Sequence, residues 1–473
     1  MKKYRIILIA ALGLFTFTGC EEVLEVEPTT AIEKEGAVVD FTTLDRSALG
    51  AYSALQDEDY YGFRYLLYQG LYADNLTFAG TFTTDREVAS KRINASNLQI
   101  SSTWAAIYTA INRANIVIRD AERLSGESEI TEKGRAQIVG EMKFLRALAH
   151  FDLLKAFGGV PVVTSPTTTI GEIQSLPRAT EEAVYAAIIA DLQDAATALE
   201  GTEGNERATG MAATALLARV YLQQGNNEAA EAAASEVINS GAYELVEDFG
   251  TLFTQEGGAE AIFELNFTLN DANALGTASD PTSSGQRFYV SEGVYEAFSA
   301  QADTVVIDRV TEEGTTVKDT TIYSDERFEA TSRIERNRRR LIKYDDVTNN
   351  ADNVIVLRLA EMYLIRAEAR ARMAAAAAAA SEEVIADINL IRERAGLLPV
   401  EDLTNIEALA EVLEQRRLEF VGEGLRFMDL KRYDLTCDLL EFCEEDAEAF
   451  RNLWPIPLQQ IEVNPALTQN PGY

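Results

Sequence analysis

The sequence predicts a mainly α-helical fold of paired helices that carries a loop-rich insertion. Apolar residues recur at three-to-four spacing in long segments before residue 240 and again after residue 357, which is the repeat of an amphipathic helix. The intervening stretch, Gly241–Asn350, has instead a short alternating segment, a hairpin pattern and a run rich in small polar residues. Helices therefore flank a region of different character.

Six helices are predicted in the first half of the chain. They are Leu44–Leu55, Thr103–Leu124, Thr131–Phe157, Thr180–Leu199, Ala208–Gln224 and Glu228–Asn239. Local signals set two of their ends, because the glycines and proline of Gly158–Pro161 stop the third helix and Gly225 closes the fifth.

The last two of these helices have the spacing of a tetratricopeptide unit. Leu217, Ala218, Tyr221, Gly225 and Ala230 fall at the offsets where such a unit has its turn and its small packing residues. Small residues let two helices approach closely. The sequence therefore predicts a scaffold of helix pairs, which by itself does not reveal a ligand.

A comparable helix pair is predicted at Ala360–Met373 and Glu382–Arg394. The alanine run Ala374–Ala380 links them, and we expect it to serve as helix filler and spacer because alanine is the strongest helix former.

The insertion between the pairs is expected to be irregular. Ala261–Leu269 alternates like a strand, and Thr304–Tyr323 indicates a hairpin that turns at Glu312–Gly314. Asn270–Gln286 is predicted to be a long loop. Long loops on a rigid scaffold are where binding often occurs, so the insertion is a candidate ligand region.

The N-terminus has the pattern of a lipoprotein signal peptide. Lys2, Lys3 and Arg5 precede an uncharged apolar run, Ile6–Phe17, that is too short to span a bilayer. Small residues then precede Cys20, as in a lipobox, which predicts that this cysteine is lipidated and anchors the protein. The alternative is ordinary secretion with an unmodified Cys20.

Composition limits the possible partners and cofactors. The net charge of −34 repels phosphate backbones, so nucleic acid is not expected as a partner. The single histidine excludes the usual metal sites, and no motif indicates a cofactor. Cys437 and Cys443 remain after lipidation of Cys20, and whether they form a disulfide is left open because spacing alone does not fix the geometry.

The C-terminal part carries the most informative motifs. EVLEQRRLEFVGEGLRFMDLKRYD at Glu411–Asp434 precedes NLWPIPLQQIEVNPALTQNPGY at Asn452–Tyr473, and both follow Leu357–Met373 and Asp387–Leu397. This order of segments resembles the SusD/RagB family of surface lipoproteins, which hand nutrients, mostly glycans, to a TonB-dependent channel of the outer membrane.

The resemblance implies a binding protein without enzymatic activity or cofactor. Its expected partners are a SusC-like TonB-dependent outer-membrane transporter, an oligosaccharide or peptide ligand, and the outer membrane through the lipid, with the protein facing outward. The implied organisation is a signal peptide at 1–19, a tether at 20–40 and one domain at 41–473. Within that domain, repeat helices occupy about 41–240 and 352–395, the insertion 241–351, and C-terminal helices and loops 396–473.

The stretch Tyr60–Arg86 is the main candidate for ligand binding. It combines aromatic residues with the planar polar groups that take paired sugar hydroxyls. In the family, ligand contacts come from this region and from the central insertion, and Trp104 offers a further ring. The alternative is that Trp104 and at least half of the aromatic residues in this stretch belong to the core. The candidate residues are Asp74, Asn75, Phe82, Arg86, Trp104, Phe288 and Tyr289.

Two different functions compete with nutrient binding. A glycosidase would need paired carboxylates, for which Glu419, Glu423 and Asp429 are candidates, although interleaved cations favour an ion-pair lattice. The second alternative is a repeat-based adaptor for proteins only. His150 has no partner for a catalytic triad and is expected to be packed or capping. The basic cluster Arg333–Lys343 is expected to pair internally or with an acidic partner.

Overall fold

The computed structural model describes residues 38–124, 131–169, 172, 175–283, 287–310, 316–440, 442–443 and 446–473. The predicted signal peptide, Cys20, most of the predicted tether and the predicted hairpin tip at Glu312–Gly314 lie outside these residues. Within the described ranges, no helix has both the length and the apolar character needed to cross a membrane.

The N-terminal half is helical, and all six predicted helices are confirmed. Its elements are α1 (Phe41–Leu55), α2 (Arg64–Tyr72), β1 (Leu76–Phe78), α3 (Thr83–Ala89), α4 (Leu98–Arg123), α5 (Glu132–Phe157), α6 (Glu181–Ala198), α7 (Gly210–Gln224) and α8 (Asn227–Asn239). Thr131, Thr180 and Thr209 begin α5, α6 and α7, where each side chain accepts a hydrogen bond from an otherwise unpaired backbone N–H. Gly225 ends α7 with a φ of 84°, which favours glycine.

Helices α2 and α3 are not indicated by the sequence pattern. All residues of α2 from Tyr65 to Tyr72 are buried, so this helix has no solvated face. An amphipathic period cannot appear in a helix that is surrounded on all sides by protein.

Successive helices pack side by side from α4 to α8, and α8 then packs against α12 (Leu359–Met373). Ala218, Ala230 and Ala234 are fully buried between these helices. Their small side chains allow the close approach expected of a tetratricopeptide-like pair. The second predicted pair is formed by α12 and α13 (Glu382–Arg394).

The insertion contains small two-stranded antiparallel sheets. The elements of the insertion are β2 (Ala261–Leu265), α9 (Leu275–Ser279), β3 (Phe288–Val290), α10 (Glu292–Ala300), β4 (Asp303–Val310), β5 (Thr316–Tyr323), α11 (Arg327–Thr331), β6 (Ser332–Glu335) and β7 (Arg338–Leu341). Strand β8 (Val354–Arg358) follows directly after the insertion. The pairs are β1–β3, β2–β8, β4–β5 and β6–β7. The predicted strand and hairpin are confirmed, whereas α9 interrupts the predicted long loop.

The C-terminal part closes the fold with one longer helix, α14 (Asn405–Glu419), and shorter ones after it. The shorter helices are α15 (Arg426–Arg432), α16 (Thr436–Leu440) and α17 (Leu458–Val463). Ala360, Leu364, Ile388 and Val412 meet in a separate apolar cluster between α12, α13 and α14. The structure joins Cys437 and Cys443, which the sequence left open, in a disulfide with an S–S distance of 2.02 Å.

The alanine run Ala374–Ala380 is not helical, so its prediction as helix filler is wrong, although its role as spacer is confirmed. The Asn405 side chain donates hydrogen bonds to the carbonyl oxygens of Ala375 and Ala378 at 3.0 and 3.1 Å. The backbone N–H of Asn405 donates a further bond to Ala378 at 2.9 Å. These bonds satisfy the carbonyl groups without a helix.

Candidate ligand-binding site

The aromatic residues that begin the candidate stretch belong to the core. The buried ones are Tyr60, Tyr61, Phe63, Tyr65, Tyr68 and Tyr72. The hydroxyl groups of Tyr60, Tyr61 and Tyr65 donate to the buried carboxylate of Asp152 at 2.6, 2.9 and 2.8 Å. Burial and the charge of Asp152 raise the pKa of all three hydroxyls, so they stay protonated and remain donors. They support the polar loop that follows but do not face a ligand.

The end of the stretch is exposed. Phe82 is 51% exposed, and the guanidinium carbon of Arg287 lies 3.8 Å from the centre of its ring. Asp85 lies on the next turn, accepts a hydrogen bond from Tyr68 at 2.5 Å and is 3.6 Å from Arg287. Arg86 donates to the carbonyl oxygen of Thr81 at 2.8 Å. Here a ring and two arginines are held at the surface.

Pairing of β1 with β3 brings the two candidate regions together. Thr77 lies opposite Tyr289, and Phe78 lies opposite Phe288. Phe288 is buried against Phe63 and Phe78, with ring centres 5.5 and 5.7 Å apart. It therefore positions the strand and has no ring face open to solvent.

Tyr289 lies beneath an arginine of the next hairpin. The guanidinium carbon of Arg338 is 5.2 Å from the centre of the Tyr289 ring. Arg336, two residues earlier, donates to the carbonyl oxygen of Pro281 at 3.2 Å. Together these side chains define what we call the β1–β3 surface. It consists of Phe82, Arg86, Arg287, Arg336 and Arg338, with the buried ring of Tyr289 beneath Arg338.

Asp74 and Asn75 connect this surface to the C-terminal helices. Asp74 accepts two hydrogen bonds from Arg426, at 2.9 and 3.1 Å, and its carboxylate lies 3.1 Å from Arg417. Burial by itself would raise the pKa of Asp74, but Arg426 and Arg417 outweigh it and lower the pKa. Asn75 is buried, and its backbone oxygen accepts a hydrogen bond from Ser291 N–H at 3.0 Å. Both residues hold the loop in place.

Trp104 lies in a different place, beside a cavity of about 450 Å³. The cavity walls include Trp104, Tyr108, Pro161, Val163, Leu176 and Leu467, with Asn112, Gln460 and Asn464 as polar groups. The Trp104 ring packs edge-on against Phe157 at 4.9 Å between centres, and the residue is almost fully buried. The structure thus separates Trp104 from the other candidate residues.

His150 is packed, as predicted. Its Nδ1 lies 2.9 Å from the carbonyl oxygen of Arg146, and its Nε2 accepts a hydrogen bond from Val163 N–H at 3.2 Å. Burial lowers the pKa of His150 to about 4. The ring is therefore neutral at physiological pH and bridges α5 to the following loop.

The carboxylates proposed for a glycosidase are in an ion-pair lattice, as the competing interpretation predicted. Asp429 pairs with two cations of its own segment, Arg416 and Arg432, each at 2.8 Å. Glu419 instead binds cations from distant segments. They are Arg327 at 3.0 Å, Arg358 at 2.5 Å and Arg394. Burial would raise the pKa of Glu419, but these three arginines lower it, which makes a poor general acid.

Glu423 is also held by cations outside its own segment. Lys343 lies 2.6 Å and Arg358 2.9 Å from its carboxylate. The prediction of a lattice is therefore confirmed, but the expectation that interleaved neighbours supply the partners is wrong for Glu419 and Glu423. Within the described residues, no group of three or more acidic, histidine or cysteine side chains is arranged to hold a metal ion.

The basic cluster Arg333–Lys343 is only partly paired internally. Arg333, Arg339, Arg340 and Lys343 have carboxylate partners within 4.0 Å. Arg336 and Arg338 have none among the described residues, and both are exposed. Sequence reasoning singled out the cluster that contains Arg336 and Arg338, from the density of arginine in an acidic chain, but did not place it beside Phe82 and Tyr289. It missed Arg287, which no local pattern distinguishes.

Two family models match most of the chain. One, described as starch-binding and associating with the outer membrane, matches residues 24–222, and the model of the SusD family matches residues 266–473. The chain belongs to the SusD/RagB family. SusD/RagB proteins bind carbohydrates and are associated with the outer membrane.

Relatives and solved structures of the SusD/RagB family agree with this assignment over the full length. Two SusD-like proteins of Formosa agariphila are 28% and 24% identical over all of both chains. A crystal structure of a SusD superfamily protein from Bacteroides thetaiotaomicron is 25% identical, with a TM-score of 0.77 over 92% of this chain and all of the other. A laminarin-binding SusD-like protein is 24% identical, with a TM-score of 0.74 over 92% of this chain and 100% of the other.

Proposed function

We propose that this protein captures an oligosaccharide at the cell surface and delivers it to a TonB-dependent, SusC-like transporter of the outer membrane. Lipidated Cys20 would hold it at the outer leaflet, with residues 20–40 as the tether. The observation that carries the proposal is the pairing of β1 with β3, which places a half-exposed ring and several guanidinium groups on one surface. Family membership and the laminarin-binding relative support a glycan as cargo.

The proposed chemistry is reversible binding without bond cleavage. The ring of Phe82 would take the apolar face of a sugar, and the guanidinium groups would donate to its oxygens. Asp74, Asn75 and Phe288 would act indirectly, because they position the loop and strand from beneath. The cavity beside Trp104 would offer a second place for a sugar ring.

Binding of a glycan array to the full-length protein in detergent tests this function, with affinities of positive glycans measured by calorimetry. Phe82→Ala should weaken binding about fivefold, since a ring contact contributes about 1 kcal/mol. Phe41→Ala is the matched control, because that ring is 39% exposed on α1, outside the proposed site. Trp104→Ala tests the second cavity.

Three outcomes would contradict the proposal at different levels. Unchanged affinity in both Phe82→Ala and Trp104→Ala would discard the proposed placement. Binding of peptides but of no glycan would show that the cargo is a peptide and not an oligosaccharide. Failure to bind any glycan or peptide, together with no TonB-dependent transporter in complexes purified from the native outer membrane, would reject the function itself.

A further inference from the structure

The hairpin of β6 and β7 lies in a positively charged segment of a protein that is negatively charged as a whole. The whole chain has a net charge of −34, yet residues 333–343 carry six cations and one carboxylate, Glu335. A cluster of one sign in a protein of the opposite sign requires either internal partners or a ligand of complementary charge.

Four of the six cations have a structural role. Lys343 lies 2.6 Å from Glu423, and Arg340 lies 2.5 Å from Asp345. Arg339 and Arg333 have their own carboxylates at 2.6 Å, Glu292 and Glu335. Ion pairing therefore accounts for these four side chains and leaves two.

Arg336 and Arg338 are the remaining two, and within the described ranges no carboxylate lies within 4.0 Å of either. Arg336 occupies the turn with a φ of 46°, a backbone region that L-residues adopt at a cost. Glycine would adopt this backbone conformation at a lower free energy, so the turn does not explain why an arginine is found there. Its contact with the Pro281 oxygen and the stacking of Arg338 over Tyr289 orient both guanidinium groups.

Two further arginines border the same strand. Arg287 stacks on Phe82 at 3.8 Å and reaches Asp85 only at 3.6 Å, while Arg86 binds a backbone oxygen. Stacking on a ring restrains a guanidinium group but leaves its N–H edges able to donate. On the β1–β3 surface the carboxylates of Asp85 and Asp280 thus face the four arginines Arg86, Arg287, Arg336 and Arg338, which leaves an excess of positive charge.

We infer that the ligand of the β1–β3 surface is an anionic oligosaccharide whose carboxylate or sulfate groups are bound by Arg336 and Arg338. This inference rests on the proposed function and names the class of its cargo. A guanidinium group matches carboxylate and sulfate with two parallel hydrogen bonds, whereas a neutral sugar gains little from an unneutralised charge. The adjacent ring of Phe82 favours a glycan over a purely acidic peptide, which has no flat apolar face to offer.

The test compares four probes on the full-length protein by calorimetry. They are an oligogalacturonate, a sulfated oligosaccharide, a neutral laminarin oligosaccharide and polyglutamate. We expect one of the two anionic glycans to bind, and the two arms distinguish carboxylate from sulfate. Arg336→Gln/Arg338→Gln should weaken that binding about a hundredfold, or about tenfold for each lost charged hydrogen-bond pair.

A control variant separates local contacts from net charge. Arg46→Gln/Lys133→Gln removes the same two charges from exposed positions on α1 and α5 and should leave the affinity unchanged. Matching far-ultraviolet circular dichroism and unfolding midpoints would show that both double variants are folded.

Each remaining outcome decides between the inference and the proposed function. Tight binding of the neutral glycan with no binding of either anionic one would overturn the inference and leave the proposed function standing. Anionic binding that both double variants retain, or lose equally, would also overturn it. Binding of polyglutamate alone would indicate an acidic peptide as ligand and would overturn the inference. If none of the four probes bound, the result would count against both proposals.

Discussion

His150 shows at the scale of one residue how burial sets a pH dependence. Its ring nitrogens are both used within the core, and burial lowers its pKa from 6.5 to about 4. The charged groups nearby oppose each other, since Asp191 favours the protonated ring and Arg146 disfavours it. Protonation would break the hydrogen bond from Val163 N–H. The folded state therefore favours the neutral ring.

This histidine should make the protein less stable in mild acid. Because its pKa is lower in the folded state, its contribution is fully present above pH 6.5 and is lost as the pH falls towards 4. Between pH 7 and pH 5 we expect a loss of about 2 kcal/mol in the free energy of unfolding. Urea unfolding of the wild type and His150→Gln across this range measures it, since only the difference between the two isolates the histidine. Parallel pH profiles would contradict the assignment.

The alanine run shows how tertiary contacts override local propensity at the scale of an element. Seven consecutive alanines predict a helix, yet α12 ends at Met373 and the next helix begins only after Ser381 caps it. The buried amide of Asn405, at the start of α14, takes the carbonyl groups that a helix would have used. Those long-range bonds set the end of α12.

Asn405→Ala should therefore destabilise the protein by about 1–3 kcal/mol, because it removes two part-buried hydrogen bonds that contribute about 0.5–1.5 kcal/mol each. Chemical denaturation measures the change. Ala377→Ser, at an exposed position in the same run, is the control and should change the free energy of unfolding by less than about 0.5 kcal/mol. An increase in helix content in Asn405→Ala would show that the run extends α12 once released. Equal stability of Asn405→Ala and the wild type would contradict this role of the amide.

The ion-pair lattice around Glu419 connects the whole molecule. Arg327 comes from the insertion, Arg358 from β8 and Arg394 from α13, and all meet the carboxylate of Glu419 at the end of α14. Glu260 extends the lattice, with carboxylate oxygens 3.0 Å from Arg358 and from Arg394. Removal of the Glu419 charge leaves three buried arginines with fewer carboxylates and therefore with positive charge that is not fully compensated.

Glu419→Gln should lower the free energy of unfolding by about 3–5 kcal/mol, the usual cost of breaking a buried ion pair. The exposed carboxylate of Glu132, paired with Arg135, provides the control, and Glu132→Gln should cost less than about 1 kcal/mol. Thermal and urea unfolding measure both. If the two variants were equally stable, the lattice would not be what joins the insertion to the C-terminal helices.

The sequence by itself determined the helical class, the existence of the six early helices, the positions of their C-terminal ends and the family. Amphipathic periodicity, threonine caps and glycine ends are local signals, so they are visible in a single chain. It also indicated that Glu419, Glu423 and Asp429 are ion-paired, because many cations lie near them in sequence.

Only the tertiary structure decided which side chains meet. It placed Phe288 in the core and Phe82 at the surface, although both are aromatic residues of the same candidate set. It also supplied Glu419 with distant arginines and left Arg336 and Arg338 without carboxylates among the described residues. The physical reason is that burial and charge neutralisation depend on segments far apart in the chain, which local spacing does not record.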